Sequence, residues 1–408
     1  MDDMRDETDP EIAHQRSRSG RSRNCAAPTS PAHTISRSWL WAKLATLSVL
    51  TALLSALLFT ATPVVLAMAG SGSSFIVRKD VKDLTKREKA EFVSAVLTAK
   101  NVPSPWDPKL SYYDQFVQWH RDAFKCKHGW QQDGNWAGAA HNSPTFLPWH
   151  RQYLILFEQM LRTTSGNPDL ALPYWDWTNA DSTAAVFSND LLGPEGDPAH
   201  DFAVMSGPFR KGAWSFDIQD PAVYLDGVRT PESFIVRRFN VFFDESPGLP
   251  TAKDVKQAQA VSHYDHAPFN AQSKTSESFR NTLEGWRNAT PSECTDGWLM
   301  QTQTKGSPHD LHNLVHIYTG GIWKEGDEVV QGTMAYNTSP NDPIFFLHHA
   351  NVDRIWAAHE LASGGHYRPK AIGEQGFNGT DTMWPWRDRT INSWFGTIHN
   401  GYTYKRLH

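Results

Sequence analysis

The chain has 408 residues, a formal net charge of −5 and no basic stripe in the part that carries hydrophobic pattern, so nothing in it favours nucleic acid. Three Cys are too few for a disulfide scaffold, and no Cys-x-x-Cys pair offers a thiolate metal site. That length can bury one large core or two smaller ones.

Residues 1–37 are polar, rich in Arg and Ser and without a hydrophobic period, and they read as a disordered basic tail. Residues 44–69 carry no charge, and that run exceeds the roughly 20 apolar residues a membrane span needs. Residues 38–70 are therefore predicted as a transmembrane signal-anchor. A signal peptide is the alternative, because Ala67-Met68-Ala69 resembles a cleavage site. Arg16, Arg18, Arg21, Arg23, Arg37 and Lys43 precede the run and keep the N-terminus cytosolic. Either reading places residues 71–408 outside the cytosol, as the lumenal or extracellular domain of a single-pass protein or as a secreted one. Acceptor sequons at Asn288, Asn337 and Asn378 agree with a glycoprotein in that compartment. Cys126 and Cys294 would form an even pair there and are the candidate disulfide.

The folded part starts near Ser74, with a short strand over 76–80. Thr85 and Glu88 have capping-box spacing and predict a helix through Ala99. A second helix over 112–124 puts Tyr113, Phe116, Val117, His120 and Phe124 on one face. His141 follows in a loop, and a helix over 148–162 carries His150, Tyr153, Leu154, Phe157 and Leu161 on one face. Between 171 and 280 the helical period fades into long loops with short strands or helices. Helical pattern returns over 279–286. In the stretch 307–321, His312 and His316 lie four apart on one face of a short helix ending at Gly320 and Gly321.

The last strong helix lies in 339–356. Asn341 or Asp342 is placed to cap it, and Pro343 stands where a missing N–H is harmless. His348 and His349 sit among Ile344, Phe345, Phe346 and Leu347, with Asp353 one turn after His349. One such His-His pair is most often ordinary core. A second imidazole pair upstream changes that, because His312, His316 and His349 together can hold one metal. His120, His141 and His150 make a second set of three. Carboxylate-bridged di-iron bundles need Glu and Glu-x-x-His pairs, which are absent. All-imidazole sites suit copper, with zinc the alternative on ligand count alone.

These residues also carry a resemblance. His120, His141 and His150, then His312-Asn-x-x-His316, then Asn-Asp-Pro-Ile-Phe-Phe-Leu-His-His-Ala-Asn-Val-Asp ending at Asp353, resemble the two copper regions of the tyrosinase family, whose members hold a coupled binuclear (type 3) copper site. The likeness spans about residues 74–408 and is closest to short bacterial-type members. It includes Leu-Pro-Tyr-Trp-Asp-Trp ending at Trp177, Asn-Thr-Leu-Glu-Gly-Trp ending at Trp286, and Tyr402-Thr403-Tyr404.

The resemblance implies a mainly α fold: a four-helix bundle holding two copper ions, with long loops and a few short strands. It implies that O2 is used to hydroxylate small monophenols and to oxidise o-diphenols to o-quinones. A catechol oxidase or o-aminophenol oxidase without the hydroxylation is the alternative, and a haemocyanin-like O2 carrier a remote one. Melanin-type pigment formation and a copper donor partner are family-level expectations.

Carried over, His120, His141 and His150 match the ligands of the first copper, and His312, His316 and His349 those of the second. His348 would then support the site from behind. Asp353 would pair with Arg151, Glu284 and Asn313 would hold a water that acts as base, and Tyr336 falls where a gate residue often stands. Three departures stand out. The segment between Glu284 and His312 is longer than in bacterial-type members and carries Cys294, which a bridge to Cys126 would pin near the copper. Ala139 occupies a place where many fungal and plant members have a Cys that forms a thioether with a histidine. After Tyr404 the chain has no further domain to cover the pocket.

Overall fold

The computed structural model describes residues 75–124, 140–219, 229, 232–285, 310–363 and 378–407, with the backbone alone of Glu293–Thr295 and Trp298–Met300. The chain divides at Gly72 and Ser73, and every described residue lies on the C-terminal side. Residues 1–37, the apolar segment 38–70, Cys126, His128, Ala139, Trp286 and Asn288 lie outside the described residues, as does the side chain of Cys294. Among the described residues no helix is long and apolar enough to cross a membrane.

The predicted elements form in order. Strand β1 (Ile76–Arg78) precedes helix α1 (Lys86–Ala99), which opens on the reciprocal Thr85 and Glu88 capping box. Helix α2 (Tyr112–Asp122) is capped by Ser111, whose hydroxyl accepts the Asp114 N–H. Helix α3 (Phe146–Ser165) starts two residues before the predicted Pro148 and ends at Gly166, in the left-handed region at φ 68°. The earlier start follows from helix geometry. Pro148 sits within the first turn, where the N–H has no intrahelical partner to lose.

Short helices α4 (Ala180–Val186) and α5 (Ala252–Gln259) break the long loops, and α6 (Phe279–Glu284) follows. Strands β2 (Glu293–Thr295) and β3 (Trp298–Met300) pair antiparallel. Helix α7 (Leu311–Gly320) then leads into an antiparallel hairpin of β4 (Ile322–Glu325) and β5 (Glu328–Gln331), turning at Gly326 with φ 61°. Helix α8 (Ile344–Ser363) is buried all round through most of its length. Of the two candidate caps it is Asp342 whose carboxylate accepts the Ile344 N–H at 3.1 Å, while Arg237 grips both its oxygens at 2.7 Å. The chain closes with β6 (Tyr402–Tyr404), parallel to β1.

Helices α2, α3, α7 and α8 form the bundle, with α3 and α8 packed on each other, α2 against α3, α7 against α8, and α1 covering α3. Its core is aromatic: Phe157 and Phe346 stack at 3.4 Å between α3 and α8, and Tyr153 stacks on Phe346 at 5.6 Å. Behind the stacked pair, α3 and α8 are tied by charge. Asp353 accepts Arg151 at 2.6 Å and Arg78 of β1 at 3.3 Å, and both Tyr402 and Tyr404 hydroxyls donate to it at 2.5 Å. Arg151 also meets Glu360 at 2.9 Å, and Arg78 meets Glu158 at 3.2 Å.

Candidate metal centre

Seven imidazoles converge from α2, the turn before α3, α3 itself, α7 and α8. The ring nitrogens of His120, His141 and His150 lie within 4.8 Å of one another, and so do those of His312, His316, His348 and His349. Within the second group, Nε2 of His349 lies 3.2 Å from Nε2 of His312 and 3.3 Å from that of His316. Three imidazole nitrogens at about 2.0–2.1 Å from one tetrahedral metal would stand about 3.3 Å apart. The groups face each other, with the His150 and His349 rings stacked at 4.2 Å and 13°.

The backbone aims these rings. Nδ1 of His120 donates to the Asn337 carbonyl at 2.7 Å, His150 to Phe146 at 2.8 Å, His312 to Glu284 at 3.1 Å and His316 to Met334 at 2.7 Å. Each bond fixes the proton on Nδ1 and turns the Nε2 lone pair inward. The buried Nε2 atoms of His120 and His150 have no hydrogen-bond partner, and the Nε2 atom of His349 faces those of His312 and His316. Orphaned imidazole nitrogens in a dry interior are the donor set that a metal ion satisfies.

Burial, with the neighbouring imidazoles, lowers all seven rings' affinity for protons, His150 to about 3 and His316, by burial, to about 4. The rings are therefore neutral at pH 7, as metal ligation requires.

Sequence reading missed the residues that hold this geometry. Met334 and Asn337 flank one short loop and supply carbonyls to both groups. The loop reaches α7 because Gly332 lies against Gly320, where a Cβ on Gly332 would fall 2.0 Å from the Gly320 carbonyl oxygen. The Phe345 ring lies between the groups, edge-on to His120 at 4.7 Å and stacked on His349 at 4.1 Å.

Glu284 is fully buried and touches both halves of the site. Its Oε1 accepts the Asn142 N–H at 2.7 Å beside His141, its Oε2 accepts Arg280 at 3.0 Å, and its carbonyl receives His312. The long segment before His312 does not separate them. Gly285, at φ 101°, packs so closely on Asp310 that a Cβ there would lie 2.1 Å from the Asp310 oxygen, so the insertion leaves and returns at one point. Burial raises the Glu284 carboxyl, Arg280 and the Asn142 amide oppose it, and the balance is about 7. Asn313 is half-buried on α7 beside His312. The Tyr336 hydroxyl donates to the Arg229 carbonyl at 2.9 Å, and its ring lines a crevice with Arg229, Trp323 and Glu325.

His348 is fully buried, stacks on His312 at 5.2 Å and 15°, and has no hydrogen-bond partner on either nitrogen. His349 points its Nε2 at both α7 histidines, which favours it as the third ligand. His348→Leu is expected to retain both metals and to change stability by less than about 3 kcal/mol. Metal analysis of that variant decides between the two residues, since loss of one ion would make His348 a ligand.

Comparison with known proteins agrees with this geometry. The family model described as the common central domain of tyrosinase matches residues 110–361. A tyrosinase of Streptomyces glaucescens is 36% identical over 315 residues, covering 76% of this chain and 93% of the relative. A grixazone synthase of Streptomyces griseus is 33% identical over 330 residues, covering 77% and 94%. Among solved structures, a polyphenol oxidase from Thermothelomyces thermophila shares the fold, with a TM-score of 0.52 at 19% identity over 83% of this chain and 92% of that one. With its two histidine groups inside the matched region, the chain belongs to the tyrosinase family.

Proposed function

We propose that this protein is a binuclear copper oxidase that hydroxylates monophenols and oxidises o-diphenols to o-quinones with O2. The observation that carries the reading is the pair of facing histidine groups whose ring nitrogens converge in a buried interior. His120, His141 and His150 would hold one copper, and His312, His316 and His349 the other. Two coppers bound there supply the activation of O2 and accept electrons from the phenol.

The chain's own residues do the remaining work. The four carbonyl-anchored histidines keep the donor set rigid, so little reorganisation accompanies turnover. Phe345, Phe146 and Phe124 wall the histidines and keep water away; Phe124 stacks on His141 at 4.2 Å. A phenol must give up a proton whose pKa is about 10 before it can bind a metal. Glu284 stands between the two groups, and each of its oxygens can accept a second hydrogen bond from a water shared with Asn313. That water takes the proton. Glu284→Gln is expected to lower monophenol turnover by about 10²–10⁴-fold, the range of one general base. Full retained monophenol activity would remove Glu284 from the mechanism.

Residues 38–70 would deliver the domain across a membrane as an anchor or a cleaved signal, a reading supported by their uncharged run and the arginines before it. A copper donor, glycosylation and melanin-type products fit such a compartment, and Tyr336 as gate and a Cys126–Cys294 bridge belong to the same reading.

The test is oxygen uptake by the copper-loaded protein with tyrosine and then with L-DOPA. Uptake with both is expected. Uptake with L-DOPA alone would reduce the activity to diphenol oxidation, and uptake with neither would overturn the enzyme reading.

A further inference from the structure

An unbroken line of indole rings runs from the first histidine group to the surface. Trp149, fully buried, meets His150 at 5.0 Å and His120 at 6.1 Å between ring centres. Trp386 follows at 5.2 Å, Trp119 at 5.3 Å from Trp386, and Trp106 at 4.6 Å from Trp119. The line ends in solvent, for Trp106 is 47% exposed whereas Trp119 is 8% exposed. Trp106 packs edge-on to Tyr112 and against Trp119 yet keeps about half its surface in water, and Trp386 is partly buried.

Indoles are, with phenols, the side chains most readily oxidised by one electron, and rings in van der Waals contact exchange electrons rapidly. We infer that Trp149, Trp386, Trp119 and Trp106 form an electron path that drains oxidising equivalents from the copper centre when no phenol is bound. The inference rests on the copper reading of the site. An electron passes from Trp149 to the oxidised centre, and transfers from Trp386, Trp119 and Trp106 refill each ring in turn, so the deficit ends on Trp106. There a dissolved phenol gives one electron to the ring and its proton to bulk water. The Trp106 radical cation returns to neutral indole, and the phenol becomes a phenoxyl radical.

The inner rings are arranged to keep the transfer reversible. Trp149 donates its indole N–H to the Trp384 carbonyl at 2.7 Å, a group too weakly basic to take the proton. The buried Nε1 of Trp386 has no acceptor at all. An oxidised ring at either place keeps its proton and waits for an electron. The path would protect His120 and His150, the ligand rings that meet Trp149.

The experiment treats the copper-loaded full chain with hydrogen peroxide in the absence of phenol, then locates oxidised Trp and His by peptide mass mapping and the radical by low-temperature EPR. Copper content and L-DOPA oxidation are recorded first. Oxidation is expected to collect on Trp106 only when copper is present. In Trp386→Phe the Trp106 product is expected to disappear while oxidation of Trp149 and His120 rises. Trp106→Phe, a change at the half-exposed end, is expected to move the product to Trp119 and serves if the Trp386 variant does not fold. Equal Trp106 oxidation with and without copper, or a pattern indifferent to both substitutions, would overturn the path while normal copper content and quinone formation leave the function standing. A chain that takes up no copper overturns both.

Discussion

Asp353→Asn is expected to destabilise the copper-free protein by about 3–5 kcal/mol, the range for removing one partner of a buried ion pair. The carboxylate is 3% exposed and accepts two guanidinium groups and two tyrosine hydroxyls. Its loss strands Arg78 and Arg151 in a dry interior, each with one remaining carboxylate, Glu158 or Glu360. The prediction has a pH signature. Burial raises the Asp353 carboxyl, but Arg151, Arg78 and the two tyrosines outweigh it and hold the group below its ordinary value. A carboxyl depressed in the folded state contributes fully above its unfolded pKa of about 3.9 and loses that contribution as pH falls through the folded value. Parent and variant should therefore differ most above about pH 4 and converge in stronger acid. Denaturant titrations across pH on metal-free protein measure this without stabilisation from bound copper, and a difference that grows on acidification would contradict the account.

His349→Ala is expected to leave one copper per chain and to bring oxygen uptake to background with tyrosine and with L-DOPA. The Nε2 of His349 is the point where the two α7 nitrogens meet, at 3.2 and 3.3 Å, and its ring stacks on His150 across the site. Without it the second group keeps two nitrogens from one helix, too few for a three-imidazole site, while the first group is untouched. The variant should stay folded, because α8 is anchored elsewhere by Asp342 with Arg237 and by Asp353 with Arg151. Two coppers retained in this variant would mean that His348 or another donor completes the site.

The residue types of the site were legible because chemistry limits the choice. A His-His pair in an apolar run reads as ordinary core by itself, but imidazoles four apart on a second helix turn it toward a metal site. Periodicity placed α2 and α3, whose apolar faces repeat, whereas α8 is buried all round and was marked by its cap and Pro343. Backbone carbonyls carry no such signal. Met334 and Asn337 orient His316 and His120 through a group every residue has, so only the path of the chain reveals them.

β1 conceals its role for another reason. Its alternation holds, with Ile76 and Arg78 buried and Val77 42% exposed, but what Arg78 meets is hidden, because its partners Glu158, Asp353 and Tyr404 come from distant parts of the chain. The hairpin of β4 and β5 had a local signal in Gly326-Asp327 between apolar strands, and it matters because it returns the chain to Met334. The contact of Gly285 with Asp310 was invisible, since it joins residues on either side of a long insertion.

The most direct test of the central claim is the copper content of the purified chain together with the X-ray absorption spectrum of the bound metal. Two coppers per chain are expected, each with three imidazole nitrogens and no sulfur or protein carboxylate. One copper per chain, or a spectrum that requires sulfur or carboxylate ligands, would contradict it.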